Sequence, residues 1–562
     1  MTRRGAVVGV FTALAAALPF TPALGGGFLD WDDRTLLVHN PRWLGADGLR
    51  WILTSSSGGA FGPYQPLTWI SYRLDHALWG LDPRAFHVTN VLLHALTAVV
   101  LAGCARRLLA RALPRLAERP RVLAGAACAA ALLWAVHPLR VEAVAWITER
   151  RSVLSGLLLA LSLRAWLGYV DAAPGAARTR AYAASLACAA LSLLAKSSAL
   201  AWPLVLLVLD VAPLGRRGAR RLLLEKLPFA AVSALVGLAA WRGQVETGAF
   251  AAVGALGRCV LAGYGAAFLA LRTALPFGLH AHVLRPQPFD ALAPQFAVPA
   301  CLAAAATVVV LARARRAPGS AAAWAAALLL LAPVSGLVPI GSHATADRYT
   351  YLPAFPLVLG VVGLVAQRWS EHPRRLAAAA CAALLALGVT SARLAATWTD
   401  TRALFARVVA FEPGNWLAHG MLAELALADG DVAGAREHAE TAVRLHETPD
   451  ALARLGWIAL QGGDAAGARA ALERALARDA AHEVARIDLA ILEARAGDLS
   501  AAETELRRVL AQHPDSAQAH YNLALVLHRT GRDDAAREAA RAALRLEPGY
   551  AAAAALLAQL GG

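Results

Sequence analysis

Lysine is almost missing from this chain: Lys196 and Lys226 are its only two, beside 52 arginines in 562 residues. Cysteine is scarce as well. The six (Cys104, Cys128, Cys188, Cys259, Cys301 and Cys381) lie inside apolar segments with no C-x-x-C spacing, which excludes a disulfide framework or a thiolate metal site and leaves them as small core residues. Charge is also thin. Only 17% of residues are Asp, Glu, Lys or Arg, while 58% are hydrophobic and mean hydropathy is +0.49, which excludes an ordinary soluble protein of this length.

What is present is a series of apolar runs of about 17 to 22 residues, recurring from Ala6 to Ala395 and then stopping. A boundary near residue 400 follows, dividing a 1–400 membrane domain from a 401–562 tail. Charge divides at the same place. From Pro413 onward 15 arginines face 21 acidic residues, so the tail carries −6 and the remainder +21. That surplus lies between hydrophobic segments, where cytoplasmic retention of arginine accounts for it without nucleic acid.

Taken in order, Arg3 and Arg4 precede an apolar run ending at Leu24, which reads as an uncleaved anchor with a cytoplasmic N-terminus. Residues 25–87 then form a long outside loop opening on FLDWDDRTLLVHNP and rich in Trp, Tyr and His. The arginines at 106, 107, 111, 115, 119 and 121 mark the cytoplasm. Residues 138–151 return outside, Lys196 lies at an outer turn between two spans, and GSHATADRYTY (341–351) is again outside. Flanking charges ask for an odd number of crossings between Leu227 and Leu275, although two apolar runs are visible there. About eleven transmembrane helices satisfy every basic loop and put the tail on the side of the first loop.

The tail repeats itself. Gly430-Asp431, Gly463-Asp464, Gly497-Asp498 and Gly531-Arg532 recur at steps of 33, 34 and 34 residues, each inside a helix pair, with Pro449, Pro514 and Pro548 near the junctions. This is the tetratricopeptide (TPR) period, about four repeats, enough for a self-supporting solenoid and suited to binding a peptide or protein.

Six positions could carry chemistry. Asp32 and Asp33, adjacent at a membrane surface, suit a general base on an acceptor hydroxyl, a hold on a divalent metal, or orientation of a sugar; the plain alternative is a solvated loop start. Glu142, in HPLRVEAV, shares a helical stripe with Trp146 and with Glu149 or Arg150. Lys196 must snorkel, pair or serve a ligand, and a lipid-linked phosphate supplies the anion. Arg348 and Tyr351, in ADRYTYLP, stand where a span meets the outside, and guanidinium suits bidentate phosphate binding, with Asp347 as the neighbouring ion-pair alternative. His137 and Arg150 are further candidates, without spacing that demands a metal.

The ordered set WDD…NP, YQPLTWISYRLDHALWGL, HPLRVEAVAWITERRSVLSG, LLAKSSALAWPLVLLVLD, ADRYTYLP and TPRs resembles the transmembrane-and-TPR O-mannosyltransferases and their bacterial relatives, within the GT-C class. The resemblance implies an all-α polytopic domain followed by a TPR α-solenoid. It also implies inverting transfer of a mannose-like sugar from a polyprenyl-phosphate donor to Ser or Thr hydroxyls of extracytoplasmic proteins that the TPRs recruit. On it, Asp32 and Asp33 match the essential acidic pair, Glu142 the acid of HPxxxEAV, Lys196 the lysine opening the sixth helix, and Arg348 the arginine before YLP. Ser197-Ser198 departs from the family, whose eukaryotic members carry an acid after that lysine. Abundant alanine and arginine point to a GC-rich bacterial genome, hence an inner membrane with periplasmic TPRs. Two other readings remain open: a non-catalytic anchored TPR scaffold for envelope assembly, and a lipid-sugar transferase acting on glycan.

Overall fold

A computed structural model describes residues 3–54, 64–246, 253–338, 343–547 and 549–561. Pro548, and the first residues of the GPYQP and GSHAT stretches, lie outside those residues. The chain is all-α, and it divides into two compact units, Met1–Leu404 and Phe405–Gly562.

Among the described residues of the first unit seven helices are long and apolar enough to cross a membrane, and the bent pair Pro120–Ala135 and Pro138–Ala145 makes up to eight. Three of the other expected spans are short helices. Ser197–Val211, Pro318–Val334 and Ala354–Arg368 are apolar but shorter than a full span. Ala255–Ala274 has the length, yet its Leu261 packs with Ala344 and its Thr273 carbonyl accepts from His137, so its second and last turns both touch loops near the candidate site. One of the two apolar runs between 227 and 275 therefore need not cross.

Local chemistry sets where the helices start. Proline occupies the first turn of Pro83–Ala112, Pro120–Ala135, Pro294–Ala312, Pro318–Leu331 and Pro373–Ala395, where a missing N–H leaves no intrahelical bond unmade. Asp82 caps the first of these by accepting from Arg84 N–H at 3.0 Å. Burial then sorts the bundle. Over half of the Ile147–Asp171 window is buried, against 6% of Pro373–Trp398, so the former is central and the latter faces outward. Small residues let the central helix Arg150–Asp171 approach Ala176–Ala195 closely, with Ser192 Oγ donating to Ser155 O and Ser162 Oγ to Ser185 O.

The feature that positions the site is a 57° bend after Ala135. Residues 134–150 that follow are buried throughout, although much of this stretch is not regular helix. Irregular backbone at such depth needs partners, and it has them. Asn90 Nδ2 donates to Trp146 O at 3.1 Å, Tyr72 Oη to Ile147 O and Thr148 O at 3.2 Å, and Ser391 Oγ to Val136 O at 2.6 Å.

The second unit stacks the helix pairs Trp416–Ala428 with Val432–Leu445, Pro449–Gln461 with Ala465–Arg478, Glu483–Ala496 with Leu499–Gln512, and Ala517–Arg529 with Asp533–Leu546. Each pair turns at a glycine with positive φ, from +76° at Gly531 to +93° at Gly497, a conformation other residues adopt only with strain. Asp431, Asp464 and Asp498 then cap the second helix, accepting from Gly434, Gly467 and Ala501 N–H at 2.8–2.9 Å.

Candidate functional site

The first loop lays its acidic pair against the buried stretch, and the two carboxylates part company there. Asp33 is fully buried: Leu29 N–H donates to its Oδ2 at 3.1 Å and Thr148 N–H to its Oδ1 at 3.0 Å. It fastens the loop to the 134–150 segment. Burial pushes its carboxyl up to about 7, against the pull of those two hydrogen bonds. Asp32 is half-buried and has no hydrogen-bond or ion-pair partner among the described residues, while lying within electrostatic reach of Arg151, Arg348 and Glu149. Burial raises its carboxyl above the usual carboxylate range, with the two arginines opposing.

Beneath Asp32 lies a compact charge cluster. Glu149, with no exposure, accepts from Lys196 Nζ at 2.9 Å and from Ser152 Oγ, pairs with Arg151, and stands 3.6 Å from Arg348 Nε. Glu142 accepts from the Arg348 backbone N–H at 2.7 Å and from its guanidinium. Lys196 also donates to Ser152 Oγ at 2.7 Å, and burial lowers its ammonium to about 8 although Glu149 opposes the shift. Three acids thus face three bases: Asp32, Glu142 and Glu149 against Arg151, Lys196 and Arg348. Asp347 is buried and does not ion-pair with Arg348, whose guanidinium instead reaches Glu142; burial and that same glutamate raise the Asp347 carboxyl.

One wall is aromatic. Trp31 stacks on Trp146 at 4.7 Å, Trp398 lies 6.5 Å from Trp31, and the Arg348 guanidinium sits 5.5 Å above Trp146. His282 lies 6.3 Å from Trp31, and His343 bonds Tyr349 Oη. Among the described residues no group of three or more His, Cys, Asp or Glu could hold a metal ion.

Lys196, Ser152, Ser198, Arg348 and Tyr349 line a cleft that ends on Leu330, Tyr351 and Leu352. These last three also line a larger, mostly apolar cavity of 540 Å³. The cleft therefore offers cationic donors for an anion, next to a greasy recess for whatever carries it.

Of the residues singled out from sequence, Asp32, Glu142, Lys196 and Arg348 converge here, with Asp33 holding the loop in place. The others do different work. His137 Nδ1 caps the bend by accepting from Leu139 N–H, while its Nε2 donates to Thr273 O at 3.1 Å. Arg150 is buried and spent on Asn90 Oδ1 at 2.8 Å, Phe86 O at 2.7 Å and the Asp75 carboxylate, tying the first loop to the central helix. Tyr351 turns its hydroxyl to His94 at 2.9 Å and packs its ring on Trp134, so it walls the cavity without offering a donor to the cleft. Sequence reasoning gave Glu149 only as a stripe neighbour and missed Arg151; the run ITERRS at the mouth of a span, opposite a lone lysine, was the available signal.

Fold and site together define a multi-pass helical unit holding an ion-paired pocket beside an apolar cavity, with a TPR solenoid in the same chain. A tetratricopeptide repeat family model matches residues 398–448, 420–483 and 487–559. Among curated proteins the chain is similar to mouse protein O-mannosyl-transferase TMTC1, 32% identical over 166 residues, which is 28% of this chain and 16% of that protein. Human TMTC2 is 32% identical over 162 residues (29% and 18%), and Drosophila melanogaster Tmtc2 is 28% identical over 212 (36% and 21%). Each match spans no more than about a fifth of the relative's length. Of solved structures, the TPR protein TTC0263 from Thermus thermophilus is 22% identical, covering 32% of this chain and 93% of that one with a TM-score of 0.27.

Proposed function

We propose that this chain is a membrane O-glycosyltransferase that moves a mannose-like sugar from a polyprenyl-phosphate donor to a Ser or Thr hydroxyl of an extracytoplasmic protein. The observation that carries the reading is a carboxylate without a side-chain partner, Asp32, within reach of Arg348, which with Lys196 lines a cleft that shares Leu330, Tyr351 and Leu352 with an apolar cavity. The named relatives support the reaction class.

In this reading the isoprenoid lies in the cavity and its phosphate meets Lys196 and Arg348, both of which line the cleft. The acceptor hydroxyl sits against Asp32, and Trp31 and Trp146 offer a stacking face for the sugar. As the acceptor oxygen forms its bond to the anomeric carbon, its proton passes to Asp32, and the bond from that carbon to the phosphate oxygen breaks with inversion. Polyprenyl phosphate leaves with its developing charge on the two cations, a contribution of a few kcal/mol per well-placed donor. Asp33 keeps Asp32 in register. The TPR solenoid recruits the acceptor.

The test uses the full chain in membranes, with a polyprenyl-phosphate [³H]mannose donor and an acceptor-protein extract. Asp32→Asn is expected to lower transfer by about 10² to 10⁴-fold with insertion and melting unchanged. Undiminished transfer in that variant would remove Asp32 from the chemistry, and absence of any transfer by the wild type would remove the donor class.

A further inference from the structure

The 540 Å³ cavity has a second end. Helix Pro83–Ala112 lines it from Leu101 to Ala112, and nearer the helix start, outside the cavity lining, Asn90 bonds the backbone beneath the site. The 22 residues between Asn90 and Ala112 span about 33 Å of continuous helix, the thickness of a bilayer's hydrocarbon core. At the Ala112 end the cavity meets Arg115 and Arg316, on segments that adjoin where a Cβ added at Gly319 would stand 3.5 Å from the Ala112 Cβ.

Among the described residues that line the cavity those two arginines are the only charged ones, and none is a carboxylate. Neither makes an ion pair among the described residues, whereas nearby Arg107 and Arg111 share Asp171 and Arg119 holds Glu371. Ser320 and Gln367 add neutral hydrogen-bonding groups at the same mouth. An anion bound at Lys196 and Arg348 lies about a membrane's thickness away and cannot satisfy these guanidiniums.

We propose that this far mouth is a headgroup site for an anionic glycerophospholipid of the arginine-rich, cytoplasmic leaflet, its phosphate between Arg115 and Arg316 and an acyl chain in the adjoining part of the cavity. Two cations with no acid beside them discriminate against zwitterionic lipids, whose trimethylammonium would have no partner. The site needs only the membrane placement of the helices and stands whether or not the chain is a transferase.

Native mass spectrometry of the detergent-purified full chain, titrated with phosphatidylglycerol, phosphatidylcholine or inorganic phosphate, tests it. Wild type is expected to retain phosphatidylglycerol at least about tenfold more strongly than phosphatidylcholine. The double variant R115Q/R316Q should lose that preference, while R313Q/R315Q, which removes equal charge outside the cavity, should keep it. Ala323→Phe, which leaves both arginines and fills the acyl recess, should also lose retention, its melting curve serving as the check of folding. Equal retention of the two lipids by wild type, or a preference surviving R115Q/R316Q, would overturn the site. Protection by inorganic phosphate alone matching that by phosphatidylglycerol would overturn the lipid and leave a free-anion site.

Discussion

Two of the buried ion networks in the first unit differ in what they face: the one around Glu149 lines the cleft beside the apolar cavity, while the one around Asp210 meets, through Tyr169 and Glu225, a surface recess lined by Arg220 and Arg221. Around Asp210, which has no exposure, Trp166 Nε1 donates at 3.0 Å, Arg216 at 2.9 Å and Lys226 alongside; Arg216 also reaches Glu225, which accepts from Tyr169 Oη at 2.6 Å. That network joins three helices and leaves its central acid surrounded. Around Glu149 the pairing is equally dense, yet Asp32 beside it has no hydrogen-bond partner, and Lys196 and Arg348 line a cleft. Burial of charge alone therefore does not mark chemistry, because a saturated network is scaffold whose stabilising value is modest and whose disruption is costly. Unspent hydrogen-bonding capacity next to a cavity is the better sign.

The comparison breaks most sharply at its two central acids. Asp32→Asn should reduce sugar transfer by two to four orders of magnitude with the thermal midpoint unchanged, since the lost group contacts no protein donor. Asp210→Asn should do the reverse. Leaving Lys226 and Arg216 short of a buried anion costs about 3 kcal/mol, read as a lower melting temperature and yield, with transfer per folded molecule preserved. Equal effects of the two changes on transfer would abolish the distinction.

The two lysines sharpen it next. Lys196→Ala is expected to lower kcat/KM by about 10²-fold through weaker stabilisation of the departing phosphate. Lys226→Met should leave kcat/KM of the folded enzyme within about twofold and shift only the melting curve.

Much of this was legible beforehand, and the reasons differ by residue. Lys196 stood out because an apolar neighbourhood gives a cation few options, and the Gly-Asp period of the tail reported its helix pairs directly. The division of labour between Asp32 and Asp33 could not be read, because it depends on which carboxylate meets Thr148 N–H, a residue 115 positions away from Asp33. Arg150 and Arg151 are adjacent in sequence but project in different directions, one into Asp75 and Asn90, the other toward Glu149 and Asp32. The number of spans was harder to read, because hydropathy measures apolar run length, and Ser197–Val211, Pro318–Val334 and Ala354–Arg368 are apolar helices shorter than 18 residues.

A pH profile separates the networks by sign. Transfer needs Asp32 ionised, and its raised pKa places the acid limb of kcat/KM above the ordinary carboxylate value of 3.8. It also needs Lys196 charged, and because that ammonium is lowered to about 8, activity should fall as pH rises through that value. Lys196→Arg should carry the alkaline limb upward, since guanidinium keeps its charge. Asp33 acts on stability instead. Its folded pKa of about 7 exceeds the unfolded 3.8, so the folded state binds the extra proton, and stability should decline as pH rises between those two values. A kcat/KM profile flat from pH 7 to 9 would refute the Lys196 assignment.

The weakest contrast is at the rim of the scaffold network. Arg221 touches Glu225 at 3.1 Å, but its side chain is 60% exposed and the contact is one helical turn long. Water screens such a pair and the long side chain loses entropy in making it, so Arg221→Ala should leave the melting temperature within about one degree and transfer unaltered. The same substitution at Arg151, which is buried against Glu149 within reach of Asp32, should lower transfer and shift the acid limb upward, because a cation that holds the Asp32 carboxyl down would be gone. If Arg221 proved as sensitive as Arg151, exposure would not be what distinguishes rim from core, and the two networks would have to be regarded as one coupled system running the length of the bundle.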